Sequence, residues 1–254
     1  MHGTSLRPLL YDKQPRWRDR SLVVDSQRLD KIVRWRQAAV MTEEWRLVNP
    51  CPGGDPARLE LYDIRRDPGQ EHNVAAQNPQ VVERLKADYD RWWKLTSQRS
   101  DEYVRIVLGS EAENPTRLTC HDWHGEGGAE ATWNQRAIRM GPAANGFWAV
   151  EVARAGEYRV ELRRWPKEVD LPITAAYRDP KPNREKAPGK AISVVKARLK
   201  IGGIDESGAV ESGDKAAVFN VRLPAGPAEL QSWFYGPDGA ERGAYFVYVE
   251  RLKG

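Results

Sequence analysis

Short apolar runs divided by polar turns dominate the first hundred positions, and they predict a small sheet. Three polar residues, Thr42-Glu43-Glu44, separate two of these runs, which is typical of an antiparallel hairpin. Prolines and glycines mark the other breaks, because they favour turns over regular strands. The pattern predicts four strands, at residues 22–26, 38–41, 45–48 and 59–62.

The clearest helical signal follows these strands. Asn78 suits the N-cap, and Pro79 suits the first helical position, where a backbone N–H is not required. A helix from Pro79 to about Leu95 is predicted. Its apolar residues recur at helical spacing, so they must cover an apolar surface, and the preceding sheet is the expected partner. These residues are Val81, Val82, Leu85, Tyr89, Trp92 and Trp93.

Beyond residue 100 the pattern changes to the period of strands. Tyr158, Val160 and Leu162, for example, alternate with charged residues, which is typical of a half-buried strand. About seven strands and no helix are predicted, and Ala155-Gly156 is expected to close a hairpin between the second and third of them. The predicted strands span residues 103–108, 146–153, 158–165, 192–201, 217–223, 228–235 and 244–252.

These patterns predict an α+β fold in two domains. Residues 1–100 form a small antiparallel sheet with a packed C-terminal helix, and residues 101–254 form an all-β, jelly-roll-like sandwich. The 40 basic and 36 acidic residues are interspersed, so no nucleic-acid partner is expected. No stretch approaches the roughly 18 apolar residues of a membrane span, and no membrane partner is expected.

One stretch carries a more specific motif. Glu60-Leu61-Tyr62-Asp63 is followed by the turn Asp67-Pro68-Gly69-Gln70 and the step Asn73-Val74-Ala75. In this order the three segments resemble the C-terminal subdomain of the sulfatases, with Gln70 where that family has Glu and Val74 where it has Leu. The segment from Gly3 to Leu10 also resembles the stretch that closes the catalytic domain in that family.

The resemblance implies an arylsulfatase-like hydrolase of sulfuric esters that is periplasmic or secreted. Complete enzymes of this family use formylglycine and a calcium or magnesium ion, and a Cys/Ser-x-Pro-x-Arg motif directs formation of the formylglycine. Neither Cys51 nor Cys120 begins that motif. The chain is therefore expected to hold no catalytic residue, cofactor or metal of its own, and to be inactive alone. Its implied partner is a sulfatase catalytic domain, whose substrate cleft it would help to shape.

The alternative is a free-standing carbohydrate-binding β-sandwich. Candidate substrate contacts are His121, Trp123 and His124, because a tryptophan can stack on a sugar while imidazoles bind its hydroxyls. The His-x-x-His spacing also suits a metal, but too few further histidines are available, and no metal ligand is assigned. A sulfated carbohydrate is the expected ligand. Trp148, Trp165 and Trp233 are other possible sugar platforms, and sequence does not separate them.

Overall fold

The computed structural model describes residues 5–11, 19–27, 31–125, 134–179 and 188–252. Two compact units make up the chain, Met1–Asp101 and Glu102–Gly254. The predicted α+β fold class is confirmed, with a sheet and packed helix followed by a β-sandwich. Among the described helices, none is both long and apolar enough to cross a bilayer.

The first unit contains a four-stranded antiparallel sheet. Its elements are α1 (Arg7–Leu10), β1 (Leu22–Val24), β2 (Ala38–Met41), β3 (Trp45–Asn49), β4 (Glu60–Asp63) and α2 (Pro79–Thr96). The strand order is β1-β2-β3-β4. The predicted hairpin between β2 and β3 is confirmed, and the Thr42 N–H donates across its turn to the Trp45 carbonyl (2.8 Å).

Helix α2 covers this sheet with the predicted apolar stripe. Leu85 and Tyr89 are its fully buried members, and the other four pack around them at the edge of the core. Trp35, which the pattern did not place in the core, stacks on Tyr89 with 3.8 Å between ring centroids. The Trp35 N–H donates to the Tyr89 hydroxyl (2.8 Å), and burial raises the pKa of Tyr89 to about 12. The sheet contributes Ala38, Val40, Leu47 and Leu61.

The start of α2 differs from the prediction in one detail. Asn78 occupies the N-cap position, but its side chain accepts no hydrogen bond from the first turn. Its Nδ2 donates instead to the Val74 carbonyl (3.0 Å). The Asn78 side chain therefore holds the preceding turn to the helix rather than capping the helix.

The motif between β4 and α2 is held by side chains that bind backbone. Asn73 Oδ1 accepts from the N–H groups of Leu61 (3.1 Å) and Ala75 (3.0 Å), and so ties the segment to β4. Asp67 Oδ2 accepts from the His72 N–H (2.9 Å), and backbone N–H donors to this carboxylate, that of His72 foremost, lower the pKa of Asp67. Asp67 and Asn73 thus have a structural role in shaping the turn.

The second unit is a sandwich of two sheets. The strands are β5 (Ile106–Leu108), β6 (Thr116–Thr119), β7 (Phe147–Val152), β8 (Gly156–Arg163), β9 (Lys196–Ile201), β10 (Ile204–Ala209), β11 (Ala217–Leu223), β12 (Gly226–Tyr235), β13 (Glu241–Arg242) and β14 (Phe246–Arg251). The sheets have the orders β10-β9-β12-β7-β5 and β11-β8-β14-β6, with β13 beside β12. The strand pattern missed β6, β10 and β13.

The hairpin predicted across Ala155-Gly156 is wrong. Strand β7 pairs with β5 and β12, whereas β8 pairs with β11 and β14, so the chain crosses here from one sheet to the other. The crossing is fixed by the Tyr158 hydroxyl, which donates to the Arg154 carbonyl (2.6 Å). Gly109 has a positive φ of 69° beside this hydroxyl, and an added Cβ would lie only 2.4 Å from it.

The second unit also contains a helix that was not predicted, α3 (Gln135–Met140). Asn134 caps its start by accepting a hydrogen bond from the Ala137 N–H (2.9 Å), and Gly141 ends it with a left-handed φ of 63°. Both residues are ordinary signals for a helix start and stop. The six-residue helix is too short for its apolar period to stand out.

A buried arginine joins two loop segments to the end of this helix. Arg164 is fully buried and donates to the carbonyls of Ala175 (3.0 Å), Arg139 (2.9 Å) and Lys190 (2.7 Å). Its guanidinium lies 4.5 Å from the centroid of the Trp165 ring. Burial lowers the pKa of Arg164 to about 10, because desolvation disfavours its charge.

Candidate functional site

The predicted site residue Trp123 lies in the core of the sandwich. Its side chain is 5% exposed, and its ring packs against those of Trp148 and Tyr245 at centroid distances of 5.7 and 6.1 Å. The backbone of Gly146 and Gly243 also packs closely against the Trp123 side chain. A Cβ added to Gly146 would lie 2.6 Å from it, and one added to Gly243 would lie 2.5 Å from it. Stacking of a sugar on Trp123 does not fit this burial.

The two neighbouring histidines occupy different environments. His121 is exposed in a one-turn 3-10 helix, Cys120–Asp122. His124 is half-buried, with its ring centroid 4.4 Å from that of Tyr103 and 5.7 Å from that of Phe147. Across the residues that the structure describes, no three His, Cys, Asp or Glu side chains converge in a way that would hold a metal. The calcium or magnesium ion that the resemblance implies therefore finds no fitting donor set there.

A different surface, the outer face of the larger sheet, combines aromatic and basic side chains. On β9 the inward residues are buried, while Lys196, Arg198 and Lys200 point outward because side chains alternate along a strand. On β12 the outward residues near the C-terminal end are Gln231, Trp233 and Tyr235. We call these six residues the aromatic–basic face.

Strand register sets the pairs on the aromatic–basic face. Trp233 lies directly opposite Arg198, and Tyr235 opposite Lys196. The Arg198 guanidinium carbon is 4.9 Å from the centroid of the Trp233 ring, and Lys196 Nζ is 4.6 Å from that of Tyr235. Both distances are within the roughly 6 Å range of cation–π attraction. The pairs hold the two rings and the two cations beside one another on the surface.

The three basic side chains on this face differ in their ion pairing. Arg198 binds Asp205 with two hydrogen bonds, Nε to Oδ1 (2.6 Å) and Nη2 to Oδ2 (2.5 Å). This pairing raises the pKa of Arg198 and lowers the pKa of Asp205. In the described part of the chain, Lys196 and Lys200 form no ion pair. Lys196 Nζ lies over the Tyr235 ring, and Lys200 lies opposite Asp205 and helps to lower the pKa of that carboxyl, so both ammonium groups keep hydrogen-bonding capacity for an anionic or hydroxylated ligand.

The structure also separates the tryptophans that sequence left equivalent. Trp148 is fully buried and Trp165 is 3% exposed, whereas Trp233 is partly exposed on the outer face. Phe147 lies opposite Gln231 on the same face and joins the cluster with Tyr103 and His124. His124 thus contacts a ring that borders this surface. Alternation along β12 places Trp233 on one face with Gln231 and Tyr235, but both faces carry aromatic residues, so the sequence gives no signal for which face is exposed.

Comparisons with known proteins give only remote similarities. No family model matches the chain, and no curated protein matches it. Among solved structures, a ruminal GH26 endo-β-1,4-mannanase has 15% identity and a TM-score of 0.31, with 60% of this chain and 27% of that chain covered. The GH26-CBM35 β-(1,4)-mannanase of Podospora anserina has 11% identity and a TM-score of 0.31, covering 56% and 28%.

A third structure is a separate module, CBM35 from Cellvibrio japonicus Abf62. It has 12% identity and a TM-score of 0.27, with 57% of this chain and 91% of that chain covered. This chain spans little more than a quarter of the length of the two mannanases. Scores and identities of this size do not establish a shared function.

Proposed function

We propose that the second unit is a carbohydrate-binding β-sandwich and that the aromatic–basic face is its binding surface. The observation that carries this proposal is the pairing of partly exposed Trp233 and Tyr235 with a row of cations on the adjacent strand. Aromatic rings stack on the apolar faces of sugar rings, and neighbouring polar groups bind the hydroxyls. A sheet face presents such groups at fixed spacing and loses little entropy on binding.

The charge of this surface favours a ligand with anionic substituents. Asp205 pairs with Arg198 and lies opposite Lys200, whereas Lys196 and Lys200 form no ion pair among the described residues, so the six residues of the face together with Asp205 carry more positive than negative charge. Lysine ammonium groups are good donors to sulfate oxygens, and such charge-assisted bonds are stronger than neutral ones. We therefore propose a sulfated polysaccharide as the ligand class.

Replacing Trp233 with alanine should weaken binding of a sulfated polysaccharide by about tenfold, because the stacking surface and the cation–π contact that holds Arg198 beside it are lost together. Isothermal titration calorimetry on the full chain measures the affinity. Tyr11→Ala is the matched control, since Tyr11 is 66% exposed and has the Arg7 guanidinium 5.6 Å from its ring, but lies outside this face. We expect the control to bind like the unaltered chain.

The same titrations distinguish stacking from charge. A desulfated form of the polysaccharide should bind more weakly, and added sodium chloride should reduce only the binding of the sulfated form, because salt screens exposed charges. Equal affinity of Trp233→Ala and the unaltered chain, with the far-UV circular dichroism unchanged, would refute the proposed face.

A second proposal concerns the first unit, which we infer to be the C-terminal subdomain of an arylsulfatase-like enzyme. It is supported by the motif from Glu60 to Ala75 lying between a four-stranded antiparallel sheet and its packed helix. Side chains of the motif shape the turn, so the sequence resemblance and the local structure concern the same residues. The partner in this proposal is a sulfatase catalytic domain, whose substrate cleft the unit helps to shape.

This second proposal predicts no hydrolysis by the purified chain, because neither Cys51 nor Cys120 begins the Cys/Ser-x-Pro-x-Arg motif. Turnover of a chromogenic aryl sulfate is measured with calcium or magnesium present, and chelator is the control. We also expect the gene, read upstream of the Met1 codon, to encode that motif in frame. Chelator-sensitive turnover by the chain, or an upstream frame without the motif, would contradict the proposal.

A further inference from the structure

A small cavity lies where the turn after β12 meets the segment that precedes β9 and the end of α3. Its volume is about 220 Å³. The turn itself is closed by a hydrogen bond from the Gly236 N–H to the Ala240 carbonyl (2.7 Å). The cavity is separate from the aromatic–basic face as defined above, because the two sets of lining residues do not overlap. It is lined by Gly141, Lys190, Ala191, Ile192, Ser193, Asp238, Ala240 and Arg242.

Arg242 lines the cavity and carries an unused donor. It lies opposite Phe234 in the register between β13 and β12, and Phe234 points into the sandwich. Its Nε is buried and has no hydrogen-bond partner. A buried N–H of a charged group that remains unpaired costs free energy, so its partner is expected to be a ligand or water.

A second arginine lies directly behind the cavity wall. Gly141 lines the cavity, and a Cβ added to it would lie 3.3 Å from Arg164 Nη2. The partners of Arg164 are three backbone carbonyls, and no carboxylate among the described residues pairs with it. The positive charge of this guanidinium therefore remains uncompensated beside the cavity.

The balance of charge around the cavity is positive. Lys190 and Arg242 line it and Arg164 lies behind it, whereas Asp238 is the one carboxylate in the described lining. Asp238 Oδ1 is occupied, because it accepts the Ala240 N–H (3.1 Å). Tyr245 lies within electrostatic range of both arginines, and burial raises its pKa, so its hydroxyl is neutral at ordinary pH.

From these observations we infer that the cavity binds one sulfate group, either free or as an ester on a sugar, with the Arg242 Nε–H as a donor. At about 30 Å³ for each water, its volume has room for about seven waters, which suits a sulfate group with part of a sugar ring. Arg164 and Lys190 supply further positive charge, and an arginine fork suits the geometry of an oxyanion.

The test is an NMR titration of the full ¹⁵N-labelled chain that follows arginine Nε–H signals. Sodium sulfate should shift the Arg242 signal and the shift should saturate, whereas sodium chloride at equal ionic strength should not reproduce it. Arg242→Lys assigns the signal, because lysine keeps the charge and lacks Nε. In calorimetry this variant should lose at least about tenfold in sulfate affinity.

Arg222→Lys is the matched control, because the Arg222 side chain is 84% exposed on a strand of the other sheet. Methyl sulfate distinguishes the two sources: tighter binding than free sulfate indicates an ester ligand, and weaker binding indicates the free ion. Trp233→Ala should leave the titration unchanged, so failure here is distinguishable from failure of the aromatic–basic face. A linear shift shared with chloride, or full affinity in Arg242→Lys, would overturn the inference.

Discussion

Replacing Leu85 with alanine is expected to reduce the free energy of unfolding of the first unit by about 2–5 kcal/mol, the usual cost of such a truncation in a packed core. Leu85 is fully buried between α2 and the sheet, in contact with the cluster that includes Tyr89 and Trp35. Total stabilities of domains are about 5–15 kcal/mol, so the loss is a large share of the whole.

Urea denaturation of the full chain, followed by tryptophan fluorescence, measures this loss, because Trp35, Trp92 and Trp93 all surround the same core. Leu95→Ala is the matched control on the same helix, since Leu95 is 46% exposed. The control should change stability by no more than about 0.5 kcal/mol. If Leu85→Ala and Leu95→Ala unfold at the same urea concentration, α2 does not cover the core described here.

Replacing Arg164 with methionine is expected to destabilise the second unit by about 3–5 kcal/mol, because each buried carbonyl that loses its donor costs about 1–3 kcal/mol. Methionine keeps an unbranched apolar stem but ends short of the guanidinium position, so it cannot donate to the carbonyls of Ala175, Arg139 and Lys190. Removing the buried charge offsets part of this cost, since desolvation of the guanidinium is itself unfavourable.

The same denaturation experiment tests this expectation, with Arg222→Met as the control for loss of an exposed arginine. The Arg222 side chain approaches Glu157 at 3.9 Å on the surface, and such pairs contribute about 0–1 kcal/mol. An Arg164→Met chain as stable as the Arg222→Met chain would show that the three carbonyl bonds do not hold the loops in place.

The first unit could be predicted in detail because its signals are local. The β2–β3 hairpin needs only a short polar turn between two apolar runs, and α2 needs only a proline at its start and a regular apolar period. Trp35 was missed because it lies outside the regular strands, with a φ of 65°, and its contact with Tyr89 spans 54 positions of sequence. Such a contact has no local signal.

The second unit shows where local signals become ambiguous. Alternation identifies β7 and β8 as strands, but a short Gly-containing connection suits both a hairpin and a crossing between sheets. Pairing with β12 and β14, more than 70 positions further along the chain, decides between the two. The strands β6 and β13 and the helix α3 were missed because they are short, and β10 was missed because Ile-Asp-Glu-Ser-Gly-Ala carries no apolar alternation.

For the candidate site too, sequence predicted some features and only the tertiary structure decided the others. Sequence alone determined the α+β class, the covered face of α2 and the tryptophan content from which a sugar platform can be built. Only the tertiary structure decided that Trp123 and Trp148 fill the core while Trp233 stands beside Arg198 on the surface. The physical reason is that period 2 assigns residues to two faces of a strand, whereas the packing of one sheet on another decides which face is buried.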